Sequence, residues 1–279
     1  MLEDHPQTAG YRDDSYQLGG LADPKAELER LERQARVAQA MEIAWLRQLG
    51  VAPDARVLDV GCGPGFMSEA LAELVPDGRV VGVDADLELL REGRRRLVEE
   101  ARDNVRFVHA SVDDLPIESA SSDLAYARFL FQHLPRPVAA LREIGRVVAP
   151  GGRVVVVDTD DGGLVLHPQP EGLPALLAAS QQAQSRRGGD RTVGRKLRAH
   201  MVAAGLERVR VEVVPFTSEQ VGMAAFLDIC LGFKSHIIEA GEMPPEAVAR
   251  AMAAARDLID RPDAFGHALA YVAVGHAPG

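Results

Sequence analysis

The chain has 279 residues, of which 47% are hydrophobic and 5% aromatic, and its formal net charge at pH 7 is −10. This composition suits one large α/β domain with an elaborated cap, or one domain with a small second one, and the acidic balance argues against a nucleic-acid partner. The two cysteines, Cys62 and Cys230, form no metal-binding spacing. We find no apolar leader and no run of the ~18–20 apolar residues that a membrane span requires. The sequence therefore predicts a cytoplasmic protein with no membrane partner and no metal.

The first predicted element is a helix over residues 23–49. Residues 1–22 are polar and show no periodicity, whereas Asp23 and Pro24 form the N-cap and first-turn pair typical of a helix start. Apolar residues then recur at helical spacing until Gly50 ends the pattern. Because this amphipathic helix precedes the first strand of the fold, we expect it to cover the functional site.

The run VLDVGCGPGF over residues 57–66 is the most informative stretch of the sequence. An apolar strand ends in Asp59, and a glycine-rich turn follows it before a helix begins. The glycines alternate along this turn: Gly61, Gly63 and Gly65. Such a unit brings bare backbone N–H groups against a ligand. The next strand, VVGVDAD, ends in Asp84, where a carboxylate can accept hydrogen bonds from ribose hydroxyls, so the pair predicts a nucleoside cofactor.

Two details distinguish between nucleoside cofactors. The dinucleotide fingerprint requires a third glycine where this chain has Phe66. Asp59 lies two residues before the first glycine, where its charge would repel a pyrophosphate but could face an ammonium group. S-adenosylmethionine fits better, because it has a ribose, an adenine and a zwitterionic methionine end but no phosphate. An NAD-dependent oxidoreductase is the alternative that Phe66 opposes.

The D-x-G-C-G-x-G stretch beginning at Asp59 and the acidic strand end at Asp84 resemble the first two motifs of class I S-adenosylmethionine-dependent methyltransferases, of the small-molecule, UbiE-like type. The resemblance implies S-adenosyl-L-methionine as cofactor, bound by these two acids, the three glycines and Ala85. After the third strand, it also implies that Val112 lies against the adenine ring. Asp113 or its neighbour Asp114 would hydrogen-bond the adenine amino group, although an exposed acidic turn is the alternative.

The fourth predicted strand leads into Arg128 and then His133. Neither the Asn/Asp-Pro-Pro-aromatic sequence of nucleobase amino methyltransferases nor the aspartate ligand of metal-dependent catechol-type enzymes occurs there, so the resemblance implies no metal. Arg128 is a candidate to anchor the methionine carboxylate or an acidic substrate, and contact through its backbone carbonyl is the alternative. His133, whose imidazole titrates near neutral pH, is the candidate general base, and a helix-start role is the alternative.

The N-terminal stretch containing Tyr16, Arg30 and Gln34 resembles the opening of bacterial small-molecule methyltransferases that have a capping helix. The resemblance implies that these three side chains close over the methionine end of the cofactor. The alternative is that Arg30 and Gln34 form a solvated helix face.

Strand and helix patterns alternate along the rest of the chain and predict an α/β fold with a doubly wound, mostly parallel, seven-stranded Rossmann-like sheet. Strands are predicted over 56–60, 79–84, 105–109, 122–127, 153–158, 207–214 and 268–275, and helices over 66–74, 86–101, 137–148 and 192–204. Residues 217–262 break the alternation and predict two or more helices. The predicted organisation is an N-terminal arm and capping helix (1–50), a cofactor-binding core (51–216), a helical cap insertion (217–265) and the last core strand (266–279).

The predicted function is therefore S-adenosylmethionine-dependent methyl transfer, by in-line displacement, to a small organic acceptor such as a quinone-like or secondary-metabolite scaffold. A non-enzymatic S-adenosylmethionine-binding protein, whose cap blocks entry of an acceptor, is a further alternative. The sequence leaves open the acceptor, the atom that is methylated and the oligomeric state.

Overall fold

The structure is a computed structural model that describes residues 3–4, 24–99, 102–232 and 234–279. The described residues contain nine strands: β1 (Glu3–Asp4), β2 (Arg56–Val60), β3 (Arg79–Asp84), β4 (Val105–His109), β5 (Ser122–Arg128), β6 (Val148–Thr159), β7 (Val165–His167), β8 (Glu207–Thr217) and β9 (Phe265–His276). They also contain these α-helices: α1 (Pro24–Gln48), α2 (Phe66–Leu74), α3 (Leu87–Glu99), α4 (Pro137–Val147), α5 (Leu173–Arg186), α6 (Leu197–Ala203), α7 (Ser218–Val221), α8 (Met223–Cys230), α9 (Lys234–Glu239) and α10 (Pro245–Arg256). None of the helices in this part of the chain is long and apolar enough to cross a membrane.

The strands form one sheet in the order β1-β4-β3-β2-β5-β6-β9-β7, and β8 also pairs with β9. Strands β1 to β6 pair in parallel, whereas β9 runs antiparallel to β6, β7 and β8. The prediction of a doubly wound, mostly parallel α/β sheet is confirmed, and each of the seven predicted strands overlaps an observed one. The sheet has nine strands instead of seven because two short strands, β1 and β7, add to its edges.

The central strands are buried on both faces, which explains why their sequences are continuous apolar runs. On one face, Leu58 and Val60 of β2 pack with α4 and α6. On the other face, Val57 of the same strand packs with α1, α2 and α3. Helix α1 confirms the predicted N-terminal helix, while its predicted N-cap, Asp23, lies outside the described residues. The helix predicted over 192–204 is a short 3₁₀ turn followed by α6.

A third hydrophobic cluster forms a separate layer, the cap, over the carboxyl edge of the sheet. Helices α7 to α10 lie in the stretch where the sequence pattern predicts helices. The structure adds α5, which the sequence analysis did not predict, and Leu176 of α5 is fully buried with Phe226 of α8 and Val248 of α10. The cap is therefore assembled from two segments that are separated in sequence by α6 and β8.

Candidate functional site

A cavity of about 440 Å³ opens at the carboxyl ends of the parallel strands, beneath α1 and the cap. This edge is where doubly wound α/β sheets bind their ligands. The glycine-rich turn after β2 and the end of β3 line one end of the cavity. The turn after β5 and side chains of the cap line the other.

The three motif glycines share positive φ angles of 67°, 55° and 80° but differ in their surroundings. A Cβ on Gly61 would lie 2.8 Å from Leu130 Cδ1, and one on Gly65 would lie 2.3 Å from Phe107 Cζ. A Cβ on Gly63 would meet no heavy atom within 4 Å, and Gly63 lines the cavity. Gly61 and Gly65 therefore allow close packing, whereas Gly63 keeps backbone accessible to a ligand.

Asp84, at the end of β3, is fixed beside this turn. Its Oδ2 accepts a hydrogen bond from the Gly63 N–H at 2.7 Å, and its Oδ1 accepts one from the Asp86 N–H at 2.8 Å. These two backbone hydrogen bonds fix the orientation of the carboxylate at the end of β3. The structure thus brings together the acid and the glycine that the sequence analysis paired. Binding of a ribose by Asp84 stays a prediction.

Asp59, at the end of β2, is only 2% exposed and accepts a hydrogen bond from the Ser68 hydroxyl at 2.6 Å. Burial raises the pKa of this carboxyl to about 7, against the lowering effect of the Ser68 hydrogen bond, and the nearby charge of Asp84 raises it further. Asp59 also lines the cavity. A cationic group placed beside it would favour the ionised carboxylate, so the environment is compatible with the predicted ammonium partner.

Arg128, the candidate to anchor a carboxylate, lines the cavity and is also bound by α1. Its Nε donates to Glu42 Oε1 at 2.9 Å, and its Nη2 donates to the carbonyl oxygen of Gln34 at 3.1 Å. The Tyr126 hydroxyl donates to the other oxygen of Glu42. These contacts use donors that the sequence analysis assigned to a ligand. Glu42 was missed, although a carboxylate on the apolar stripe of an amphipathic helix is a signal for a buried partner.

The other predicted residues of the N-terminal segment are only partly described. Tyr16 lies outside the described residues. Arg30 and Gln34 both line the cavity, and Arg30 Nη1 donates to Gln34 Oε1 at 3.1 Å. Both side chains therefore lie at the cavity, and closure over the methionine end of the cofactor stays a prediction.

At the adenine end of the predicted site, Ala85 and Val112 line the cavity. Asp113 does not line the cavity, and its carboxylate pairs with Arg136 Nη2 at 2.7 Å. Asp114 is exposed. The structure thus brings Val112 to the cavity but directs the carboxylate of Asp113 towards the start of α4.

His133 ends the 3₁₀ turn Phe131–His133 after β5 and lines the cavity. Its Nδ1 lies 3.1 Å from Nε2 of Gln184. Gln184 belongs to α5, so the helix missed by the sequence analysis supplies the side chain that contacts the candidate base.

The wall nearest the cap carries two arginine–aspartate pairs, which the sequence analysis did not pair. Arg191 donates through Nε and Nη2 to both oxygens of Asp161 at 2.9 Å, and Arg195 Nη2 donates to Asp160 Oδ1 at 2.6 Å. Cys230 lines the same wall, and burial raises the pKa of its thiol to about 12. Within the described residues, no group of three or more His, Cys, Asp or Glu side chains is arranged to hold a metal ion.

Comparison with known proteins gives a family match and several relatives. Residues 57–152 match the family model described as a methyltransferase domain. An uncharacterised methyltransferase of Schizosaccharomyces pombe is 35% identical over 155 residues, which cover 53% of this chain and 55% of the relative. Demethylmenaquinone methyltransferase of Lactococcus lactis is 33% identical over 125 residues, which cover 44% of this chain and 50% of the relative. This chain thus spans about half the length of the relatives it matches.

Solved structures share the fold. Phosphoethanolamine N-methyltransferase 2 of Haemonchus contortus, solved in complex with S-adenosyl-L-methionine, superposes with a TM-score of 0.57. The sequence identity is 19%, and the match covers 86% of this chain and 53% of that one.

Proposed function

We propose that this chain, whose residues 57–152 match a methyltransferase-domain model, is a class I S-adenosylmethionine-dependent methyltransferase that transfers a methyl group to a small organic acceptor. The observation that carries this proposal is the accessible backbone at Gly63 beside the carboxylate of Asp84, inside the cavity. A ligand that lies against this backbone and presents hydroxyl groups to Asp84 has the chemistry of a nucleoside.

The residues present fit S-adenosylmethionine. Asp84 would hold the ribose, Asp59 would face the ammonium group, and the accessible backbone of the glycine turn would contact the methionine part. Ala85 and Val112 would flank the adenine, while Arg30 and Gln34, with Tyr16, would close over the methionine end. When bound, S-adenosylmethionine would supply a sulfonium methyl group for in-line transfer to the acceptor. The protein contributes mainly orientation and exclusion of water.

The two alternative functions have less support. Phe66, where a dinucleotide fold needs its third glycine, lies against Arg96, whose guanidinium carbon is 4.0 Å from the ring centroid. An NAD-dependent oxidoreductase of that fold would need a glycine at this position for close packing of the helix on the strand. A purely regulatory binding protein would need a closed acceptor end. The cavity of about 440 Å³ extends to the cap and falls within the range of small-molecule sites.

The acceptor end of the cavity supports an apolar acceptor. Beside the arginine–aspartate pairs, apolar side chains of the cap and of neighbouring segments line this end: Leu164, Phe216, Ile229, Ile237 and Leu269. We propose a quinone-like or secondary-metabolite scaffold, and the relative named demethylmenaquinone methyltransferase is consistent with that class.

Calorimetric titration of the protein with S-adenosylmethionine and with NAD tests the cofactor. We expect the protein to bind S-adenosylmethionine and not NAD. We expect Asp84→Ala to weaken S-adenosylmethionine binding by about 1.5–3 kcal/mol, the scale of hydrogen bonds to a charged group. Asp77→Ala, at an exposed position, should leave the affinity unchanged. Unaltered affinity in folded Asp84→Ala would remove Asp84 from the site. Formation of S-adenosylhomocysteine with a panel of apolar hydroxy-aromatic and quinol acceptors then tests turnover.

A further inference from the structure

The side chain of Gln184 lies against His133 and is fixed by its surroundings. Gln184 is 7% exposed, and its Nε2 lies 2.9 Å from the carbonyl oxygen of Gln132 and 3.1 Å from His133 Nδ1. A Cβ on Gly189 would lie only 2.4 Å from that nitrogen. The amide is therefore confined between the 3₁₀ turn and the loop after α5.

The hydrogen bonds of this amide determine where the imidazole carries its proton. A carbonyl oxygen only accepts hydrogen bonds, so the group that faces Gln132 must be the NH₂ of Gln184. The second hydrogen of that NH₂ is directed to His133 Nδ1. Because an amide nitrogen is not an acceptor, Nδ1 must supply a lone pair. A neutral imidazole has one N–H, which therefore lies on Nε2.

We propose that Gln184 holds His133 in the Nε2–H tautomer, so that His133 donates a hydrogen bond to the methyl acceptor and does not remove its proton. This inference rests on the proposed function, since the acceptor is the ligand that His133 would meet in the cavity. Gln184 is a positioning residue in this scheme. A general base at Nε2 would need the opposite tautomer, which would place an N–H at Nδ1 against the NH₂ of Gln184.

The other titratable groups described at the acceptor end are poorly suited to take the proton. Asp161 is bound through both oxygens by Arg191, and Asp160 is bound by Arg195 and by the backbone N–H of Gly162. Burial raises the pKa of the Cys230 thiol to about 12, so the thiol is protonated and is not a ready base.

This arrangement selects a chemical class of acceptor. Among oxygen acceptors, one that receives no help with its proton must arrive with its nucleophilic oxygen already ionised, as an enolate, an acidic phenolate or a carboxylate. Its oxyanion forms the bond to the methyl carbon as the carbon–sulfur bond breaks, and the product is a neutral ether or ester with no proton left to remove. The apolar walls would hold the body of the molecule, and the Nε2–H would hold the oxyanion.

The donor role has a kinetic consequence that differs from that of a base. The negative charge on the oxygen decreases as methyl transfer proceeds, so a hydrogen bond to it is strongest in the bound ground state. Removing the donor therefore raises KM and does not lower kcat. Removing a base lowers kcat.

Nitrogen NMR of the histidine rings tests the tautomer without cofactor or acceptor. In ¹⁵N-labelled protein at pH 8, with the His133 signals assigned by their loss in His133→Gln, we expect an unprotonated Nδ1 and a protonated Nε2. Gln184→Met should shift the ring towards a mixture of tautomers. Gln182 is exposed on the same helix, and the matched control Gln182→Met should leave the tautomer of His133 unchanged. A protonated Nδ1 in the unmodified protein overturns the proposal, whether or not the Gln184 variant folds.

Kinetics with acceptors that support turnover test the role in the reaction. We expect His133→Leu to raise KM for the acceptor about 10–100-fold, the scale of a hydrogen bond to a charged group, without lowering kcat. His133→Gln keeps an N–H donor but provides no base. Its KM for the acceptor should therefore be much closer to that of the unmodified protein than the KM of His133→Leu. A fall in kcat of about 10²–10⁴-fold in both variants would assign the base role to His133 and overturn the donor role. Absence of cofactor binding would refute the proposed function and leave the tautomer result standing.

Discussion

The three glycines of the turn after β2 differ in what a side chain would meet, and this difference separates packing from binding. Gly61 and Gly65 leave room for Leu130 and Phe107, so a substitution at either position disturbs the core. Gly63 faces open space in the cavity. Its contribution is therefore best measured by ligand affinity.

Gly63→Ala and Gly50→Ala form a matched pair for this measurement. Both positions have positive φ, at 55° and 74°, and neither Cβ would meet an atom within 4 Å. Each substitution should cost about 1–2 kcal/mol of stability through left-handed backbone strain. Only Gly63→Ala should weaken S-adenosylmethionine binding, by about tenfold or more, because its methyl group would occupy ligand space. Equal affinities of the two folded variants in calorimetry would contradict the placement of the cofactor.

Asp158, at the end of β6, makes stability depend on pH. Burial raises its pKa to about 7, although the N–H groups of Gln132 and Thr159 donate to it. An aspartate in the unfolded chain has a pKa of about 3.9. Between about pH 4 and 7, Asp158 therefore binds its proton more tightly in the folded state than in the unfolded state. The contribution of Asp158 to the free energy of unfolding therefore falls as pH rises, by at most about 1.4 kcal/mol per pH unit, and is constant above about pH 7.

Asp158→Asn isolates this titration. Over the same range, the free energy of unfolding of the variant minus that of the unmodified protein should increase with pH and then level off. Urea unfolding at several pH values between 4.5 and 8 measures the difference. A difference that stays constant or decreases with pH would show that the pKa of Asp158 is not raised in the folded state.

At the scale of elements, the docking of α1 on the sheet depends on one buried ionic cluster. The side chains of Glu42 and Arg128 are 10% and 9% exposed, and Tyr126 completes the cluster from β5. Losing one partner of such a pair leaves an uncompensated buried charge. The helix that covers the cavity is therefore held by a charge pair as well as by its apolar stripe.

Glu42→Ala should lower the free energy of unfolding by about 3–5 kcal/mol, the range for breaking a buried ion pair. Glu32→Ala, on the same helix, removes only an exposed contact with Arg36 and should cost less than about 0.5 kcal/mol. Denaturant unfolding of both variants gives the comparison. Similar small losses would mean that Arg128 finds another partner when Glu42 is absent.

At the scale of the whole molecule, the cap and the sheet have separate hydrophobic clusters. Leu176 in the cap and Leu71 beneath the glycine turn are both fully buried. A defect in the cap should therefore affect the acceptor end before it affects the cofactor end.

Leu176→Ala should cost about 2–5 kcal/mol and should speed amide hydrogen exchange in α5 and α10 but not in β2. Affinity for S-adenosylmethionine should change by less than about twofold, while methyl transfer falls. Leu71→Ala, with the same loss of volume, should weaken cofactor binding. Equal loss of cofactor affinity in both variants would argue against the predicted division into a cofactor-binding core and a cap.

The sequence by itself determined the sheet and the glycine turn. Period-two and continuous apolar runs, helix caps and alternate glycines are local signals, and they located β2, β3 and the acid at Asp84. Local signals were too weak for α5, whose small and polar residues show no clear apolar stripe. Only the cap cluster reveals that helix.

Tertiary structure alone decided which side chains are partners. Glu42 and Arg128 are 86 residues apart in sequence, and His133 and Gln184 are 51 apart. Asp113, a candidate partner of the adenine amino group, pairs with Arg136, 23 residues further along the chain. A motif fixes the backbone near a ligand because its geometry is local. The tautomer of an imidazole or the partner of a guanidinium depends on which distant elements pack against it, and the packing of this cap was not encoded in any short stretch of the chain.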